Sequence, residues 1–142
     1  MNVETLNEML DISPFHRWLG VRAMQIGEQS VEFAMPWREE IISNPYSQTM
    51  HGGVLASLID LCGLYTILAH GGEVSATADL RVDYHRGATP GAVSIKSSLL
   101  KLGSRLSTAE TFIYSQSEKL LASGRGAYLT SVSGSSTSFR RE

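Results

Sequence analysis

The stretch HGGVLASLIDLCGLYTILAH, residues 51–70, decides the fold. It holds no proline, is apolar on almost every helical face, and is bracketed by glycine pairs, Gly52-Gly53 and Gly71-Gly72. A helix that is hydrophobic all round is buried all round. A chain of 142 residues can enclose only one such helix, so the rest is expected to be its wrapping. Asp60 is the exception within the stretch. An ionised carboxylate buried without a partner costs several kcal/mol, so the group finds a partner, neutralises or works. Counted from Asp60, the positions that share its helical face are Gly53, Ala56, Ser57, Gly63 and Leu64. Four of these five are small, which leaves room for another helix or a ligand where an ordinary core face would carry Leu and Ile.

The segment before the helix is short and mixed. Leu6, Met9 and Leu10 are spaced for one helical face, and Ser13-Pro14 forms an N-cap and first-turn pair for a second helix, Phe15 to Leu19, ended by Gly20. Val21–Ile26 and Ser30–Met35 are expected as strands, with Val31, Phe33 and Met35 alternating against polar or small residues. Residues 37–51 show no period and are expected as a long loop, a length more often functional than idle.

The chain beyond the helix alternates. Val74, Ala76, Ala78, Leu80, Val82 and Tyr84 are expected on one face, with Ser75, Thr77, Asp79, Arg81 and Asp83 on the other. Ala92–Leu102 and Arg105–Tyr114 are joined by Gly103-Ser104, a hairpin signal. A last strand runs from about Leu120 to Val132, and its Gly124 and Gly126 suggest a bulge or the close approach of another backbone. The expectation is a single α+β domain over residues 1–132, followed by a Ser-rich flexible tail, 133–142.

Composition narrows the function. Twelve Lys+Arg against fourteen Asp+Glu give a net charge of −2, which is no footprint for nucleic acid. The run Val54–Ala69 is short for a membrane span and carries Asp60, so no membrane role is expected. The single cysteine, Cys62, can make no internal disulfide, and the start Met1-Asn2-Val3-Glu4 has no basic-then-apolar leader. Both suit a cytoplasmic protein. The four histidines, 16, 51, 70 and 85, show no ligand spacing, so no metal is expected. There is no Gly-x-Ser-x-Gly elbow, GxGxxG or P-loop lysine. A charge content of 18% hints that some surface is hidden by self-association.

The helix start His51-Gly52-Gly53 is the second functional candidate. The first amides of a helix lack internal acceptors and sit at the positive end of the macrodipole, so they can polarise a carbonyl. Two glycines that simply turn the chain into the helix explain the pattern equally well. Gly53 and Asp60 are seven residues apart, about 10.5 Å along the axis, too far to act on one carbonyl within one chain. Two such helices packed antiparallel across a twofold would bring Gly53 of one chain to Asp60 of the other, so a catalytic pair requires at least a dimer.

His51-Gly52-Gly53, Asp60 nine positions after the histidine, Gly63, Asp79-Leu80 and the Arg86…Pro90-Gly91 turn together resemble the hotdog-fold acyl-CoA thioesterases. The nearest type is the phenylacetyl-CoA thioesterase (PaaI-like) branch of the 4-hydroxybenzoyl-CoA thioesterase superfamily. The resemblance spans roughly residues 14–132. It implies a hotdog fold, a curved antiparallel sheet around one long helix, with dimers paired through their sheets and often homotetramers. It also implies hydrolysis of an acyl-CoA thioester, with no cofactor. Asp60 would be nucleophile or general base, and the Gly53 amide of the partner subunit would polarise the carbonyl. His51 would fix the loop entering the helix. Asn44, one residue further from His51 than is usual in the family, is the candidate for positioning the reacting groups. Thr77 stands where a Ser or Thr orients the attacking water, and is also an ordinary outward strand residue. Of the basic residues near turns and strand ends, Arg86 and Arg105 are favoured for the phosphates of coenzyme A over Arg81 and Arg125. Two alternatives stand beside this. One is a non-catalytic acyl-CoA-binding hotdog domain; the other is a hotdog dehydratase, disfavoured by the Gly-Gly after His51.

Overall fold

Asn2 starts the first helix, α1 (Val3–Leu10), by accepting from the Thr5 amide at 2.8 Å. The helix buries Leu6 and Leu10. Pro14 opens α2 (Pro14–Leu19) and Gly20 closes it at φ +77°, a left-handed cap that favours glycine. Ser13 occupies the N-cap as expected, but its hydroxyl makes no capping bond. The computed structural model describes residues 1–132, so the expected tail lies outside the described residues.

Strands β1 (Arg22–Ile26) and β2 (Ser30–Met35) form a hairpin. The segment expected as a loop contains a 3-10 turn, Glu39–Ile41, and a small hairpin of β3 (Ile42–Asn44) and β4 (Thr49–Met50). Strands this short show no period, which is why the sequence looks irregular there. Helix α3 (Gly52–Ala69) comes next, then β5 (Gly72–Tyr84), β6 (Val93–Lys101), β7 (Leu106–Tyr114) and β8 (Leu120–Val132).

Six strands make one antiparallel sheet in the order β1-β2-β6-β7-β8-β5, and its inner face packs on α3. The helix is long and apolar enough to cross a membrane, with a mean hydropathy of 1.7 over 18 residues, yet ten of those residues are buried in the fold. The expectation that it is enclosed on every face needs correction. Gly53 is exposed, and Ala56, Ser57, Asp60, Leu64 and Leu68 are half-buried, so one stripe stays open.

The two sheet edges differ. Asn7 of α1 exchanges two bonds with Ala23, its amide donating to the Ala23 carbonyl and its oxygen accepting from the Ala23 amide. Helix α1 thereby blunts the β1 edge. Among the described residues strand β5 has β8 on one side only, and it is exposed along most of its 13 residues.

The alternation expected along β5 is also broken. Its register with β8 slips between Val74 and Ala76 and again between Thr77 and Asp79. Each slip adds one residue and turns the next side chains over. Val74, Leu80 and Val82 pack inward as expected. Between the slips the parity is inverted, and Thr77 faces the helix rather than the outside.

The glycines of β8 mark a close approach. A β-carbon on Gly124 would stand 2.2 Å from the Arg81 carbonyl oxygen and 2.9 Å from Ile59 Cγ2 of the helix. Gly124→Ala is therefore expected to cost about 1–3 kcal/mol, the usual range for overpacking. Urea denaturation measures it, and an unchanged midpoint would show that β5, β8 and α3 are not in this contact.

Candidate active site

The start of α3 is anchored from three sides. The His51 amide donates to the Ile41 carbonyl at 2.7 Å, and the Met50 amide to that of Ala88 at 2.8 Å. The Tyr84 hydroxyl, from the end of β5, donates to the Gly52 carbonyl at 2.7 Å. His51 is the N-cap, and its Nδ1 accepts the Gly53 amide at 2.8 Å. A nitrogen that accepts carries no proton, so this neutral ring holds its hydrogen on Nε2. A β-carbon on Gly53 would lie 2.8 Å from that Nδ1, so the His51 ring would have to shift to admit one.

This capping bond bears on the amide expected to polarise a carbonyl. The Gly53 N–H is occupied by His51 of its own chain. Among the described residues the Gly52 amide, first in the helix, has no acceptor.

Asp60 is held at two points. The inverted Thr77 donates its hydroxyl to Asp60 Oδ1 at 2.7 Å. Tyr128, fully buried in β8, donates to the Asp60 main-chain carbonyl at 2.8 Å. Burial, and after it the Asp60 charge, push the Tyr128 phenol well above the usual tyrosine value, so it stays a donor. His16 of α2 packs edge-on against Tyr65 at 5.4 Å. Burial lowers its pKa, and the nearby Asp60 charge pulls the other way. Its Nδ1 is buried without a partner among the described residues.

The remaining expected residues are placed separately. Asn44 is the last residue of β3, where its Oδ1 accepts the Tyr46 amide of the following turn at 2.9 Å. Among the described residues no hydrogen bond joins it to His51 or Asp60. Arg86 lines an open cleft of about 310 Å³ with Thr49, Met50, Gly52 and Tyr84, beside the helix start. Arg105 lies at the β6–β7 hairpin, its carbonyl accepting the Thr130 amide, beyond the other end of the helix. An 18-residue helix is about 27 Å long, so one chain does not bring both arginines to one ligand. Cys62 is buried, and burial raises its thiol pKa, as suits a small core hydrophobe.

Tyr128 and His16 were not singled out by sequence reasoning. For Tyr128 a signal exists: Gly124, Gly126 and Tyr128 share one face of β8, opposite a glycine in the helix. Nothing in the sequence marks His16.

A carboxylate paired with a hydroxyl can take a proton from water, and an unpaired helix amide can receive charge on a carbonyl oxygen. Gly52 and Asp60 are eight residues apart, about 12 Å along the axis, so the two halves do not meet within one chain.

Comparison with known proteins agrees. The family described as the thioesterase superfamily matches residues 47–122, which include β4, α3, β5, β6 and β7. A solved thioesterase-superfamily protein is 39% identical, with a TM-score of 0.85, over 89% of this chain and 96% of its own. The medium/long-chain acyl-CoA thioesterase YigI of Escherichia coli K12 is 27% identical over 131 residues, 82% of this chain and 84% of that protein. The E. coli PaaI protein of the phenylacetic acid degradation operon, 22% identical, shares the fold with a TM-score of 0.74 over 87% of this chain and 88% of its own. The chain belongs to the thioesterase superfamily: it is a hotdog-fold thioester hydrolase.

Proposed function

We propose that the protein hydrolyses acyl-CoA thioesters, with Asp60 as general base and the start of helix α3 of a partner subunit as the oxyanion site. The observation that carries this is the Thr77–Asp60 bond. Thr77 holds one carboxylate oxygen and leaves the other for a water molecule. Asp60 takes a proton from that water as its oxygen attacks the thioester carbonyl. Negative charge gathers on the carbonyl oxygen against a helix N-terminal amide. The tetrahedral intermediate collapses, the C–S bond breaks, and the proton on Asp60 passes to the leaving thiolate. The products are the free acid and coenzyme A.

Of the two glycines, Gly52 presents the open amide, and Gly53 would become available only if His51 released it. This moves the preferred donor one residue from the Gly53 that spacing alone suggests. The open stripe of α3 and the free β5 edge lie on the side where a second copy would complete the site. A homodimer with antiparallel helices satisfies both, and dimers of dimers extend it. Arg86, which lines the cleft beside the helix start, would meet a coenzyme A phosphate there. Arg105 would reach the same ligand only from the partner. The YigI likeness makes medium and long acyl chains the first substrates to try. Coenzyme A thioesters and a lone buried thiol both suit the cytoplasm.

Thiol release from a panel of short, medium, long and aromatic acyl-CoAs tests this directly. Asp60→Asn should lower kcat by about a hundredfold or more, the usual scale of general base catalysis. Full activity in that variant would remove Asp60 from the mechanism. Single-turnover hydrolysis in heavy-oxygen water should place the label in the product acid, whereas label on Asp60 would mean that the carboxylate itself attacks. Arg86→Ala should raise KM roughly tenfold with little change in kcat, on the scale of one lost charge-assisted hydrogen bond.

A further inference from the structure

The bonds around Asp60 include one that the proposed chemistry does not use. Tyr128 stands directly opposite Thr77 in the β5–β8 pairing. The two side chains, from neighbouring strands, grip the same helix residue. Thr77 holds its carboxylate at 2.7 Å and Tyr128 holds its main-chain carbonyl at 2.8 Å.

Two glycines on two different elements make that second contact possible. A β-carbon on Gly63 of α3 would lie 2.3 Å from the Tyr128 hydroxyl oxygen, and one on Gly126 of β8 would lie 2.1 Å from it. In both cases the nearest atom is the hydroxyl, ahead of any ring carbon. At Gly63 the ring carbons stand back at 3.1 and 3.3 Å, so that side of the slot is shaped around the oxygen, which a phenylalanine would lack; at Gly126 the ring carbons crowd the position as well, at 2.4 and 2.6 Å. A mid-helix carbonyl already has the amide four residues on as its ordinary partner, so the phenol is not needed to satisfy it. What the extra bond adds is a fixed height and rotation of α3 at residue 60.

We propose that Tyr128 is a positioning residue for thioester hydrolysis, setting the Asp60 backbone so that the carboxylate meets Thr77 and the attacking water. This rests on Asp60 being the general base. A misplacement of about 1 Å at a reacting group can cost up to a hundredfold in rate, so a small displacement of the helix is enough to be read in kcat. Burial and the neighbouring Asp60 charge keep the phenol protonated where a carboxylate base works, so the clamp persists across that range.

The test uses the full chain and the best acyl-CoA from the panel. Tyr128→Phe removes only the hydroxyl and should lower kcat about tenfold while KM stays within about twofold. Gly63→Ala, which keeps the phenol but crowds its oxygen, should lower kcat in the same way. Because Tyr128 acts through Asp60, adding Tyr128→Phe to Asp60→Asn should cost nothing beyond Asp60→Asn alone. Unchanged kcat in both single variants overturns the proposal, even if their melting temperatures fall. So does an equal further loss in the Asp60→Asn background, which would mark a general structural role. An Asp60→Asn enzyme that keeps wild-type turnover sinks the general-base assignment instead, and with it the premise for Tyr128.

Discussion

A carboxylate sits in the middle of the one helix that the sheet wraps, and much of the surrounding structure answers to that placement. An unpaired buried charge costs several kcal/mol. The fold meets this on two sides. The helix leaves a stripe open from Gly53 to Leu68, so Asp60 is half-buried rather than sealed. On the sheet side Thr77 gives the carboxylate a hydroxyl donor. The two measures together keep the acid next to the core and within reach of a second molecule. An ordinary core helix would have used a leucine here.

Thr77 reaches inward because β5 is irregular. In an unbroken strand, Thr77 would share the outer face with Asp79 and Arg81, and the inner neighbour of Asp60 would be Ala76 or Ala78. Two register slips, one on each side of Thr77, invert this short segment alone and return Leu80 and Val82 to the core. Slips of this kind twist a strand and unsettle simple edge pairing. Their position is informative for that reason, because β5 is the edge that no other described strand covers. At the other edge Asn7 supplies a pair of strand-like bonds to Ala23. A sheet sealed on one side and open on the other, with an incomplete site beneath the open side, is the asymmetry that the proposed dimer uses.

Much of this is legible in the sequence. The all-round apolar helix, the hairpin at Gly103-Ser104, the final strand and Asp60 as the anomalous residue all come from pattern and cost. The inversion at Thr77 is hidden because Ala76 and Ala78 are as tolerable outside as inside, so a period of two can be drawn straight through the slips. The small hairpin between 42 and 50 is hidden because strands of three and two residues carry no period. Arg86 and Arg105 look equivalent because both flank turns. Only the topology shows that one turn lies at the start of the helix and the other beyond its end.

The small residues beside Asp60 teach the most. Taken as a set they read as vacancy, room for a partner or a ligand. In the structure they are small for separate reasons. Gly53 lacks a β-carbon because the His51 ring caps the helix there, and Gly63 lacks one because the Tyr128 hydroxyl occupies the space. Ala56 and Ser57, with Leu64, border open surface beside the acid, and Gly53 lies exposed at the helix start. Ser57 turns its hydroxyl back to the Gly53 carbonyl at 2.8 Å, so its outward side is carbon. The face divides into glycines that admit the chain's own side chains and small residues that leave a shallow apolar strip beside the acid. Gly63 lets Tyr128 reach the Asp60 carbonyl from behind, Gly53 lets His51 cap the helix start, and the small residues leave the front of Asp60 free. A single count of small residues could not separate those two roles, because a missing β-carbon looks the same whether the space is filled from within or kept open.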